Sequence, residues 1–224
     1  LEAQGADAEA RRTFERAVAV CEKAFGPEHP TFAGFLNNYG AFLRGVGAHD
    51  EALALTRRAL GIRERTLAKD HPDLAESLDA VAGLLRDQGA YDEARPLYER
   101  SLAVYERRLG RDHPKVGSGL NNLAILLELQ GALEEAKAYY ERALAVWESV
   151  AGPDHPYVAM ILTNLSGIHV ERGELAAAQA VLDRFRRDNR WGQRQAEIVR
   201  RCDRDGEAFL RFFPAADGSL RVRF

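Results

Sequence analysis

The stretch DHPKVGSGLNNLAILLELQGALEEAKAYYERALAVWESVAG, residues 112–152, holds two consecutive runs with the period of an α-helix. Leu120, Leu123, Ala124 and Leu127, with Ile125 and Leu126 beside them, recur at steps of three and four, and Gln130-Gly131 then stops the run. Pro114 suits a first helical turn, whose amide hydrogens have no partner inside the helix, and Asp112 complements the positive end of the helix dipole. A first helix, A, is therefore expected over about Pro114 to Gln130. Leu133, Ala136, Tyr139, Tyr140, Ala143, Leu144, Val146 and Trp147 carry the same period as far as Gly152 and define a second helix, B.

Outward from this stretch the pattern returns every 42 residues, anchored by His29-Pro30, His71-Pro72, His113-Pro114 and His155-Pro156. Gly47, Gly89, Gly131 and Gly173 fall at one phase of the period. Ala52, Ala94, Ala136 and Ala178 fall at another, and Ala59, Ser101 and Ala143 two turns later. Neither helix of a pair can bury its apolar stripe alone, so A must pack on B and on the next A, with the small residues setting the distance of approach. The fold expected is an all-α solenoid of antiparallel helix pairs beginning near 30, 72, 114 and 156. It is preceded by an unpaired B helix over 6–25, so that the array spans 1–187. Pro96 lies near the first turn of its B helix, where a missing amide hydrogen costs least, and a slight bend is expected there.

After Asp188 the period ends. Trp191, Gln195, Ile198, Val199 and Cys202 suggest a capping helix over 188–207. Beyond it, hydrophobic residues alternate with arginine in Phe209 to Phe213 and in Leu220 to Phe224, on either side of Asp217-Gly218. That is the signature of a short β-hairpin within 208–224.

The chain's 46% hydrophobic and 29% charged residues sit near globular averages and argue against disorder. No apolar run approaches the roughly 18 residues a spanning helix needs, and no basic segment followed by an apolar one opens the chain. Cys21 and Cys202 stand far apart, which fits a reducing cytoplasm better than a disulfide framework. Only four of the 31 basic residues are lysine, a bias that fits a GC-rich bacterial genome. The net charge of −3 is uneven, because residues 184–224 carry eleven arginines against six acids. An acidic array thus has a basic end. The start within a repeat, at Gln4-Gly5-Ala6, is expected for a fragment of a longer protein.

The chain resembles the tetratricopeptide repeat family in its 42-residue, kinesin-light-chain-like form, over about residues 5–187. The residues that carry the resemblance are Leu-Asn-Asn-Leu-Ala at 120–124, Gln-Gly-Ala at 130–132, Glu-Glu-Ala at 134–136, Tyr-Glu-Arg-Ala-Leu at 140–144 and Gly-Pro-Asp-His-Pro at 152–156. What the resemblance implies is a right-handed superhelix whose concave groove, lined by A helices, holds an extended peptide or a partner's helix. The family's groove positions fall on Asn37, Asp79, Asn121 and Thr163, and one residue later on Asn38, Asn122 and Asn164, with Ala80 breaking the series. An asparagine amide both donates and accepts, so it can hold a peptide backbone without reading its side chains. One turn further along, Arg44, Arg86, Glu128 and Val170 give a mixed lining rather than a clamp of one charge.

Equally spaced histidines invite a metal, but equivalent residues one helix pair apart lie about 8–10 Å from each other while zinc ligands lie about 2 Å from the ion. A loop and helix-start role is expected for them, and ordinary packing for His169. Asn164-Leu165-Ser166 fits a glycosylation sequon but falls within a helix. No phosphate-binding loop, metalloprotease histidine pair or nucleophile elbow is present, and Gly117-Ser118-Gly119 lacks the spacing of the last. The leading expectation is a non-catalytic scaffold for a protein or peptide partner, with no cofactor and no membrane. A sensor or regulatory arm of a larger enzyme is the second reading. Nucleic-acid contact through the arginine-rich tail is the third, weakened by the interleaved Asp188, Asp203, Asp205 and Glu207. Oligomeric state is not legible in the sequence.

Overall fold

The computed structural model describes residues 2–188, 211–214 and 220–223, and side chains over 6–184. Its helices are α1 (Glu2–Phe25), α2 (Pro30–Gly45), α3 (His49–Thr66), α4 (Pro72–Asp87), α5 (Tyr91–Leu109), α6 (Pro114–Leu129), α7 (Leu133–Ala151), α8 (Pro156–Glu171) and α9 (Leu175–Asp188). The pairs α2–α3, α4–α5, α6–α7 and α8–α9 begin at the four prolines, and α1 starts four residues before the expected position 6. Strands β1 (Arg211–Pro214) and β2 (Leu220–Arg223) pair antiparallel, with Phe212 opposite Val222. The expected capping helix lies outside the described residues beyond Asp188.

Each A helix packs on its own B helix and on the B helix before it, giving one continuous stack. Ala52, Ala59, Ala94, Ser101, Ala136 and Ala143 are all fully buried, as a close helix approach requires. α5 runs unbroken through Pro96. The A-to-B turns need backbone that L side chains avoid, and glycine supplies it with φ of 81° at Gly47 and 76° at Gly131. At the B-to-A turns Gly26, Gly110 and Gly152 do the same, whereas the second such turn, between α3 and α4, has Ala68. There the helix stops one residue sooner, at Thr66, and Leu67 takes an extended conformation that any residue can adopt.

The repeated histidine is the N-cap of each A helix. Its Nδ1 accepts the backbone N–H two residues on, at 3.2 Å from Thr31, 3.1 Å from Asp73, 3.1 Å from Lys115 and 3.3 Å from Tyr157. One donor left unpaired at each helix start is thereby satisfied, and proline follows at the position where no donor is needed.

Successive A helices touch directly, α2 with α4 and α4 with α6. Successive B helices are bridged by long side chains. Arg58, Arg100, Arg142 and Arg184 reach back 36 residues to Glu22, Glu64, Glu106 and Glu148 at 2.6, 2.7, 2.7 and 2.8 Å. The A helices therefore lie on the tighter side of the curve.

Candidate functional site

The residues expected to line the inner face divide into two columns, because neighbours in a helix point about 100° apart and only one of them can face outward. Asn38 is exposed and its equivalents Asn122 and Asn164 are half-buried. These three belong to the open column, with Ala80 between them. In the other column Asn37, Asp79 and Asn121 turn toward neighbouring helices, while Thr163 does not. Asn37 donates to Ser77 Oγ at 2.8 Å, and Asn121, only 5% exposed, accepts from Asn164 Nδ2 at 3.5 Å. Asp79 is half-buried, and Ser101 Oγ donates to its carboxylate at 2.5 Å. Thr163 is exposed, but its hydroxyl donates to the Ala159 carbonyl at 2.9 Å.

The residues one turn on are held by partners of their own. Arg44 and Arg86 both contact Asp87, at 2.5 and 2.9 Å, which lowers the Asp87 pKa even though burial opposes it. Glu128 accepts from the buried Tyr140 hydroxyl at 2.7 Å. Burial above all, with that carboxylate second, drives the Tyr140 pKa far above the usual tyrosine value. Val170 is exposed, and His169 is 8% exposed with its Nδ1 2.6 Å from Glu174. That contact is the main reason the Glu174 pKa is lowered.

A third column comes from the B helices and was not expected from the sequence. Arg63, Tyr105 and Trp147 stand 42 residues apart, and each reaches the junction with the next pair, where it meets the residue ten positions on. The buried Arg63 donates to the Asp73 carbonyl at 2.5 Å and to Ser77 Oγ at 3.0 Å. Tyr105 has Lys115 over its ring, with Nζ 5.7 Å from the centroid. Trp147 stacks on Tyr157 at 4.4 Å and on His155 at 4.9 Å, with planes within 13°. The three junctions thus use charge-assisted hydrogen bonds, a cation–π contact and an aromatic stack. The available signal was the 42-residue spacing of three large, chemically unlike side chains, which an apolar periodicity search does not register.

The open face changes in character along the array. Thr31, Gly34, Asn38 and Ala41 on α2 are small and uncharged. On α4 the corresponding positions are Asp73 and Glu76, and Glu76 contacts Lys115 on α6. On α8 the corresponding positions are Tyr157, 43% exposed, and Met160, 38% exposed. Such a face offers amide, ionic and apolar contacts in succession, the mixture that polypeptide recognition uses.

The sequence matches the tetratricopeptide repeat family over residues 1–31, 31–107, 79–145 and 115–185, and the chain belongs to that family. Its fold is that of a protein-interaction scaffold. Among solved structures, it is similar to a putative kinesin light chain of Podosopora anserina with nearly identical TPR-like repeats. The identity is 25%, the TM-score 0.73, and the match covers 85% of this chain and 90% of that one. The fold is also shared with BtubC (BKLC) from P. vanneervenii, at 19% identity and a TM-score of 0.73 over 100% of this chain and 83% of that one. A Rap protein complexed with Competence and Sporulation Factor shares it at 17% identity and a TM-score of 0.68, over 83% of this chain and 50% of that one. No curated protein sequence matches the chain. Among the described residues no helix is long and apolar enough to cross a membrane.

Proposed function

We propose that this chain is a non-catalytic scaffold that holds a peptide or helix of a partner protein along the inner face of the A helices. The observation that carries the reading is the column of Asn38, Asn122 and Asn164, whose amides stand on three of the four A helices at the repeat spacing. Asn122 and Asn164 would hold a backbone, and Tyr157 and Met160 would take an apolar side chain beside them. Arg44, Asp79, Arg86, Asn121 and Glu128 support the groove by fixing its helices, since each already spends a polar group on a neighbour, and Asn164, whose Nδ2 goes to Asn121, would meet a partner through its Oδ1.

The test is affinity capture from a host lysate with the wild-type chain, with Asn122→Ala plus Asn164→Ala, and with Asn121→Ala alone. A partner retained by wild type and lost by the folded double variant supports groove binding. Retention by that variant assigns binding to the convex face or to the tail. A loss confined to Asn121→Ala, with a lower melting temperature, marks damage to the array.

A further inference from the structure

The junction between the second and third helix pairs differs in chemistry from the two that flank it. Where α2 and α6 carry asparagine, α4 carries Asp79, a half-buried residue whose carboxylate end is turned in between the helices and desolvated there. Ser101 Oγ, on α5, donates to it at 2.5 Å, and Tyr105, on the same helix, donates its phenolic hydroxyl. The ring of that tyrosine carries the Lys115 ammonium, on α6, with Nζ 5.7 Å from the centroid. Lys115 in turn contacts Glu76, one turn before Asp79 on α4. Four side chains from three helices therefore close a circuit, Asp79 to Tyr105 to Lys115 to Glu76, across the boundary between two repeats.

The charged groups around Asp79 do not neutralise it. Glu76 lies on its own helix and repels it, while Lys115 on α6 attracts it less strongly and is shared with Glu76. From α5 come the neutral Ser101 and Tyr105 and, about one turn before Ser101, Tyr98, whose hydroxyl lies near Arg44, Arg86 and Asp87. A carboxylate held only by hydroxyls in a buried site is costly when ionised and comfortable when protonated. Burial is the main cause that pushes the Asp79 pKa up to about 6, against the hydrogen bonds from Ser101 and Tyr105. The first junction is held by Arg63 on Asp73 and Ser77, and the third by stacked rings.

We propose that the Asp79 circuit is an acid-responsive joint, at which protonation of one buried carboxyl tightens the packing of α4, α5 and α6 while the flanking junctions keep their strength. The proposal stands whether or not the inner face binds a peptide. Its sign follows from linkage. The folded-state pKa lies above the unfolded one, so the added stability is fully present below the unfolded value near 4 and is lost as pH rises through about 6.

The experiment is amide hydrogen exchange on the intact chain at pH 5.5 and 7.5, with exposure times scaled for the intrinsic exchange rate. From the two pKa values, peptides spanning α4 to α6 gain about fourfold protection at pH 5.5, and peptides of α2 and α8 do not. Asp79→Asn abolishes the difference, as asparagine already stands at positions 37 and 121. Tyr105→Phe removes a donor to the carboxylate and moves the transition to higher pH. Equal protection at both pH values in the wild type would overturn the proposal, as would a gain shared equally by every repeat or one that survives Asp79→Asn. Should Asp79→Asn fail to fold, the carboxyl carbon resonance of Asp79 decides: titration near pH 6 supports the joint and titration near 4 rejects it.

Discussion

Gly117 and Trp147 are cut to fit one another: a Cβ placed on Gly117 would stand 2.7 Å from the indole Nε1 and 2.8 Å from its Cδ1. The equivalent small residues are Ala33 opposite Arg63 and Ala75 opposite Tyr105, so only the repeat with the bulkiest partner dispenses with a Cβ. Gly117→Ala would gain roughly 1 kcal/mol from helix propensity, but overpacking a rigid indole costs about 1–3 kcal/mol. A net loss of stability is expected in urea unfolding, together with loosening of the Trp147, His155 and Tyr157 stack seen in near-ultraviolet circular dichroism. Trp147→Leu in the same chain should recover part of the loss. Added stability in the single variant would show that the indole moves aside freely.

The cap histidines make a different prediction. His113→Ala removes the acceptor for the Lys115 amide and should cost about 1 kcal/mol, whereas His113→Asn, whose carbonyl can replace Nδ1, should stay close to wild type. Thermal unfolding of the two variants separates them. Equal losses would mean that the imidazole acts through packing and not as a cap.

Ala136 is fully buried where α7 meets α6, and Ala138 on the same helix is exposed. Ala136→Leu is expected to destabilise by about 1–3 kcal/mol, and Ala138→Leu to change stability by less than about 0.5 kcal/mol. Denaturant midpoints at constant m-value are the measurement. A neutral Ala136→Leu would contradict the close approach of the two helices.

The arginine–glutamate ladder on the outer face looks like a staple, but its members are solvent-accessible. A double-mutant cycle on Arg142 and Glu106, 2.7 Å apart with the arginine about half exposed, should give a coupling below about 1 kcal/mol that shrinks with added salt. A coupling of several kcal/mol insensitive to salt would overturn this assignment and make the ladder a principal bond between repeats.

Much of the fold was legible because it is written several times. The 42-residue return of His-Pro, glycine and alanine placed the helix pairs to within a residue or so, and burial of Ala52, Ala94 and Ala136 followed from the need for close contact. The histidines were recognised as helix-start residues, while the atom that does the work, Nδ1, emerged from the loop geometry. The site was less legible. Asn37 and Asn38 look interchangeable in sequence, yet one bonds Ser77 and the other meets solvent, since a 100° step along the helix carries a side chain from a neighbour to the open face.

What the sequence by itself determined is the repeating part of this protein: helix periods, turns, small contact residues and the family. These depend on interactions within one repeat or at a fixed offset from it, so every copy carries the same signal. Only the tertiary structure decided what happens at the joints, where Arg63, Tyr105 and Trp147 meet Asp73, Lys115 and Tyr157, and where a single aspartate takes the place of asparagine. Those contacts join unlike residues from different repeats, and their strength rests on burial and on how a few hydrogen bonds offset it. A linear pattern records neither of these.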